Sequence, residues 1–122
     1  MTRDLVCKAL KMAYGRHKPA PGLLMHTDRG SQYCSLEHRT LLHDYGMVAS
    51  VSRRANAWDN AVIESFFKTL KVERVYRQRY ATRAQARLDI VNWIEGFYNR
   101  TRLHSAIGYR TPVNTAAILT VA

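Results

Sequence analysis

Apolar side chains recur along this chain in two rhythms, and each predicts an element. Thr2 precedes Leu5, Val6, Ala9, Leu10 and Ala13 at the 3–4 spacing of a one-faced helix. Its hydroxyl suits the N-cap, and Gly15 suits the end. Pro19 and Gly22 then break the chain. Residues 22–28 form a short apolar run that closes on the polar Asp28, which fits a buried strand. Arg29, Gly30, Ser31 and Gln32 supply a turn. Ser35 caps a second helix with Leu41, Leu42 and Tyr45 inward and Gly46 at its end. Residues 47–51 make a second short strand, and residues 52–59 a polar loop. A long helix is expected from about 60 to 77, with Val62, Ile63, Phe66, Phe67 and Leu70 on its apolar face. Thr82 and Gln85 form a capping box for a further helix through about Tyr98, burying Leu88, Val91 and Ile94, with Trp93 and Phe97 as further candidates. A basic, aromatic tail follows.

Strands alternating with helices point to an α/β fold. Two strands rarely make a stable sheet alone, so part of a domain is expected to be missing. The length of 122 residues fits one domain, and the 47% hydrophobic content excludes disorder. No apolar run reaches the length of a membrane span, and Thr2, Arg3 and Asp4 after Met1 do not read as a signal peptide. A cytoplasmic protein with Cys7 and Cys34 as reduced thiols is therefore expected. The histidines are scattered, which argues against zinc.

Asp28 lies at the carboxyl end of a predicted strand, where functional groups collect in α/β sheets. Glu64 lies on the polar stripe of the long helix. Two carboxylates on separate rigid elements are suited to Mg²⁺, a hard ion that prefers oxygen ligands. Plainer readings stay open: Asp28 as a turn residue, and Glu64 as an i,i+4 partner of Lys68. Asp59 and Asn60 suit a helix N-cap. His26 suits a satisfied core histidine, and Trp58 and Trp93 suit packing.

The run His26-Thr27-Asp28-Arg29-Gly30-Ser31-Gln32-Tyr33 resembles the second-aspartate motif of insertion-sequence transposases that share the retroviral integrase catalytic core. The run from Asp59 through Lys71, with Glu64 inside it, resembles their glutamate motif. Thirty-five residues separate Asp28 from Glu64, the spacing of the DD(35)E group. Residues 98–104 and 108–112 resemble the family's C-terminal signature. Ala55 stands where relatives often carry glycine. The resemblance implies an RNase H-like fold and a triad of acids holding two Mg²⁺ or Mn²⁺ ions, with Asp28 second and Glu64 third. Lys71 would reach a DNA phosphate. The first aspartate has no match: Asp4 is the one acid before Asp28 and falls in the first helix. The chain is thus expected to be N-terminally truncated. Residues 1–98 would be a partial catalytic core, and residues 99–122 a basic tail carrying the signature.

Nineteen Lys and Arg face nine Asp and Glu, a formal charge of +10. Such a balance predicts a polyanionic partner, most often nucleic acid. Lys68, Lys71, Arg74, Arg77, Arg79, Arg83 and Arg87 crowd into twenty positions. Arg53, Arg54, Lys68, Lys71 and Arg74 are the candidate phosphate contacts. Tyr76, Tyr80, Tyr98 and Tyr109 interleave with the charges but suit packing better than base stacking. The leading expectation is a DNA transposase core fragment in a bacterial, nucleoid-associated setting. With one acid missing it would be inactive alone, and it would self-associate or pair with full-length transposase. A non-catalytic DNA-binding or regulatory fragment is the alternative, and a basic RNA-binding module the third.

Overall fold

A computed structural model describes residues 1–54 and 56–121. Ala55, where a glycine was the family expectation, lies outside the described residues. The chain divides into two compact units, Met1–Glu64 and Ser65–Ala122.

The first unit begins with α1, Arg3–His17. Thr2 Oγ1 accepts the Leu5 amide at 3.3 Å, so the cap is the one its sequence predicts. The helix runs past Gly15 to His17. It stops at Lys18, whose backbone is left-handed (φ 42°) and whose N–H returns to the Tyr14 carbonyl at 2.8 Å. Val6, Cys7 and Leu10 are buried and Leu5 is exposed, while Ala9 and Ala13, though exposed, line an apolar cavity beside Val6 and Leu10. The core face is therefore turned toward Cys7 from the stripe expected. Burial pushes the Cys7 thiol up, and both cysteines are free.

Strand β1, Leu24–Thr27, pairs with β2, Val48–Val51, in parallel, with Leu24 opposite Val48 and Thr27 opposite Val51. A parallel pair needs a crossover, and α2, Leu36–Asp44, provides it. Ser35 Oγ caps α2 by accepting the His38 amide. His38 and Leu42 are buried. His38 is 1% exposed, and neither ring nitrogen has a hydrogen-bond partner. It lines the same apolar cavity, of about 400 Å³, with Val6, Leu10, Leu23, Met25 and Tyr33.

A 3₁₀ turn, Ala57–Asn60, leads into α3, Ala61–Glu73. Neither Asp59 nor Asn60 is an N-cap. Asn56 caps the 3₁₀ turn instead, its Oδ1 taking the Trp58 amide at 3.1 Å. The apolar stripe of α3 is largely open: Val62 is 87% exposed, Ile63 52% and Phe67 48%, while Leu70 is buried. Trp58, read as a packing residue, is also exposed. Periodicity marks which face is able to be buried, not whether anything covers it.

In the second unit, α3 ends at Glu73, four residues short of expectation. Arg74 leaves helical geometry (φ −129°), and a separate 3₁₀ turn follows at Val75–Arg77. Helix α4, Arg83–Trp93, begins as a capping box. The Gln85 amide bonds Thr82 Oγ1 at 3.1 Å, and Gln85 Oε1 takes the Ala81 amide at 2.8 Å. It passes into a π-helical turn, Ile94–Tyr98. The wide turn swings Tyr98 against Phe66, Trp93 and His104, with ring centroids 5.0, 5.4 and 4.5 Å away. Trp93 is buried as expected, while Leu88, Val91 and Phe97 are exposed, so of the apolar residues expected inside, the core takes the Trp93 side of the helix. The tail is ordered: His104 bridges Arg110, and Thr111 caps α5, Pro112–Val121, by accepting the Asn114 amide.

Candidate active site and nucleic-acid interface

Parallel pairing brings the carboxyl ends of both strands to one edge of the first unit. Asp28 follows β1 there. Its Oδ1 accepts the Gly30 amide at 2.7 Å, an Asx-type turn that leaves Oδ2 available. A Cβ on Gly30 would sit 2.9 Å from Asp28 Oδ1 and 2.5 Å from Gln32 Nε2, so only glycine fits without displacing them. Glu64 lies in the first turn of α3. Both carboxylates are exposed. Among the described residues, no hydrogen bond or ion pair joins one to the other, and no group of three or more His, Cys, Asp or Glu side chains is placed to hold a metal.

The segments carrying the two acids meet at Ser52, which follows β2 and is 3% exposed. Its N–H donates to the Thr27 carbonyl at 2.9 Å, and its own carbonyl accepts Arg29 Nε at 2.8 Å. Its hydroxyl lies 2.6 Å from Asn60 Oδ1, 3.1 Å from the Thr27 carbonyl and 3.2 Å from His26 Nε2. His26 Nδ1 lies 3.0 Å from Ser50 Oγ. His26 is thus satisfied as expected, though on an exposed strand position. Ser52 and Arg29 were not singled out from the sequence; their partners lie 8 to 26 positions away, where no local pattern reports them.

The expected phosphate contacts differ in what surrounds them. Asp59 binds Arg53 through its backbone N–H at 2.7 Å and its guanidinium at 2.7 and 3.1 Å. These bonds hold the Asp59 carboxyl at about 2. Arg74 is held by Asp89, with Nε 2.9 Å from Oδ2, and Tyr80 donates to the same carboxylate at 2.6 Å. Asp89 is likewise lowered to about 2 by Arg74 and then Tyr80. Arg54, Lys68 and Lys71 are exposed, and no ion pair engages them among the described residues.

The residues flanking Asp28, Thr27 and Arg29, and Asn60 ahead of Glu64 are thus all tied to one buried serine. Residues 45–112 match the integrase core domain, and residues 1–57 match a second description of the same domain. The chain belongs to the integrase core domain family. It is 43% identical over 112 residues to the transposase for insertion sequence element IS904 of Lactococcus lactis, and 45% identical to the insertion element IS600 uncharacterized 31 kDa protein of Shigella sonnei. It is 41% identical to transposase InsF for insertion sequence IS3A of Escherichia coli. Each match covers 92% of this chain but 39–44% of the relative, so the chain spans about two fifths of the curated relatives' length.

Proposed function

We propose that the chain is a catalytic-core segment of an insertion-sequence transposase with an RNase H-like architecture, acting on DNA. What carries this reading is the juncture at Ser52, to which the segments bearing Asp28 and Glu64 are both tied. Asp28 and Glu64 are the metal-binding acids. Lys71, Lys68 and Arg54 contact phosphate directly. Arg53 and Arg74 add positive charge from positions fixed by Asp59 and Asp89.

The donors fit Mg²⁺ or Mn²⁺ in kind, being hard carboxylate oxygens, but two do not complete a two-ion site. Such ions, when bound, activate an attacking water or 3′-hydroxyl and stabilise the leaving oxygen of a phosphodiester. This chain's residues position the DNA backbone and supply two of the ligands. DNA binding without cleavage is therefore the expected behaviour of the isolated chain. The exposed basic residues Arg54, Lys68 and Lys71 also fit a second reading, a regulatory DNA-binding segment that pairs with longer transposase.

The test is a duplex carrying an insertion-sequence end, incubated with the chain and Mn²⁺. Salt-sensitive binding without nicking is expected. Nicking that vanishes in Glu64→Gln would show the two acids suffice. Affinity indifferent to salt, or preference for structured RNA, would overturn the DNA reading.

A further inference from the structure

We propose that Ser52 is a positioning residue that sets the distance between the Asp28 and Glu64 segments. The proposal rests on the assignment of those acids above. Asp28 is straddled by Ser52: the residue before it, Thr27, accepts the Ser52 amide, and the residue after it, Arg29, donates to the Ser52 carbonyl. Glu64 lies one helical turn beyond Asn60, whose Oδ1 faces the Ser52 hydroxyl at 2.6 Å. The two tethers differ in chemistry. The Asp28 side is held by two Ser52 backbone bonds, with the hydroxyl also 3.1 Å from the Thr27 carbonyl, whereas the Glu64 side is held through the hydroxyl.

The proton inventory fixes the direction of each bond. A serine hydroxyl has one proton. Two carbonyl oxygens face it, and the shorter contact, 2.6 Å to Asn60 Oδ1 against 3.1 Å to the Thr27 carbonyl, assigns it to Asn60. The hydroxyl oxygen then accepts from His26 Nε2–H, and His26 Nδ1, left bare, accepts from Ser50 Oγ. His26 is thereby held in one tautomer, and strand β1 is braced against the helix that carries Glu64. At 3% exposure Ser52 is sheltered from water that would compete for these bonds. Among the described residues of the polar 52–59 loop, it is the buried one.

Ser52→Ala separates the tethers, because it deletes the hydroxyl and leaves both backbone bonds. By amide hydrogen exchange on the 122-residue chain, residues 61–64 are expected to exchange about fivefold faster, the worth of one net hydrogen bond, while residues 28–30 stay as they were. Nitrogen NMR of the His26 ring is expected to lose its single-tautomer signature. Ser52→Thr, which keeps the hydroxyl, is expected to restore both. Uniform acceleration across the first unit, or none at 61–64, would overturn the proposal. Should Ser52→Ala fail to fold, Asn60→Ala removes the same tether alone and is read in the same way.

Mn²⁺ separates this claim from the one beneath it. Paramagnetic broadening in the unmodified chain is expected at residues 28–30 and 61–64 at the same concentration. In Ser52→Ala, residues 61–64 are expected to need about fivefold more Mn²⁺. If Mn²⁺ broadens only one segment of the unmodified chain, or neither, the shared-ion assignment of Asp28 and Glu64 falls, and exchange alone decides the role of Ser52.

Discussion

The two units are held together by different chemistry. In Met1–Glu64 the bonds that gather the strand ends run through a serine hydroxyl, an asparagine amide, an imidazole and backbone carbonyls, with the Arg29 guanidinium donating to one of those carbonyls and no carboxylate among them. Its apolar core is thin, with Val6, Cys7, Leu10 and Leu42 buried beside a cavity and an unpartnered histidine. In Ser65–Ala122 the bonds are ionic and the core aromatic. Arg74 grips Asp89 and Arg102 grips Glu73, around Trp93, Phe66 and Tyr98. Ten of the nineteen Lys and Arg, but three of the nine acids, fall in this unit. Two of those acids are held by Arg74 and Arg102, which leaves the unit with a marked excess of positive charge. The lesson is a division of labour: hydrogen bonds through a buried serine fix geometry around the acids, and ion pairs brace the unit that carries most of the positive charge.

The largest expected effect tests the aromatic core. Trp93→Ala is expected to destabilise the second unit by about 3 kcal/mol, seen as an earlier midpoint in urea. Amide signals of α1 and α2 should persist beyond that midpoint. If both units melt together with the same loss, the distinction between them is wrong.

The next test concerns the free cations. Lys68→Ala with Lys71→Ala is expected to weaken duplex binding about tenfold at low salt and to flatten the salt dependence by about two phosphate contacts. Arg74→Ala is expected to affect stability along with binding, since it strands Asp89. Equal salt slopes for both variants would remove the distinction between braced and unbraced cations.

Much of this arrangement was legible in the sequence wherever the relevant partners are close along the chain. Thr2, Ser35 and the Thr82–Gln85 pair are caps because their partners lie three residues on. Asp28 at a strand end and two short strands followed from apolar runs broken by polar turns, but the burial expected of β1 did not, since its residues are exposed or half-buried with Leu24 open to solvent. The remainder depends on distant partners. Arg74 leaves α3 for Asp89, fifteen positions away, which shortens a helix that its own periodicity extends. Ser52 gathers partners from β1 and the start of α3, and nothing near it in sequence distinguishes it from an ordinary loop serine. Val62, Leu88 and Val91 have the right spacing for burial yet lie exposed, because spacing carries no information on what packs opposite.

His38 sharpens the contrast from the other side. A buried ring whose two nitrogens lack partners carries a desolvation cost that an apolar side chain of similar size avoids. His38→Leu is expected to stabilise the first unit by about 1 kcal/mol, read as a higher melting temperature with α2 intact. Loss of stability would mean that the ring's edge contact with Tyr33, at 5.6 Å, outweighs that cost.

The smallest effect is acid sensitivity, and its sign follows from the pairs. Asp89 is held at about 2 by Arg74 and Tyr80, and Glu73 is lowered by Arg102. A carboxyl lowered in the fold adds stability that is complete above its unfolded value near 4 and disappears as pH falls through the folded value. The second unit is therefore expected to be unchanged from pH 7 to 5 and to loosen between about 4 and 2. Asp59, also at about 2, closes only the Arg53 loop, so acid there should alter local signals without melting the first unit. Glu73→Gln should remove part of the acid response by weakening the Arg102 pair, at a cost of about 1 kcal/mol at pH 7. The Ser52 juncture contains no carboxylate, and its backbone bonds to Thr27 and Arg29 involve no group that gains or loses a proton in that range. Its amides should keep their protection below pH 4 for as long as the first unit stays folded, and their early loss would show that ion pairs brace both units alike.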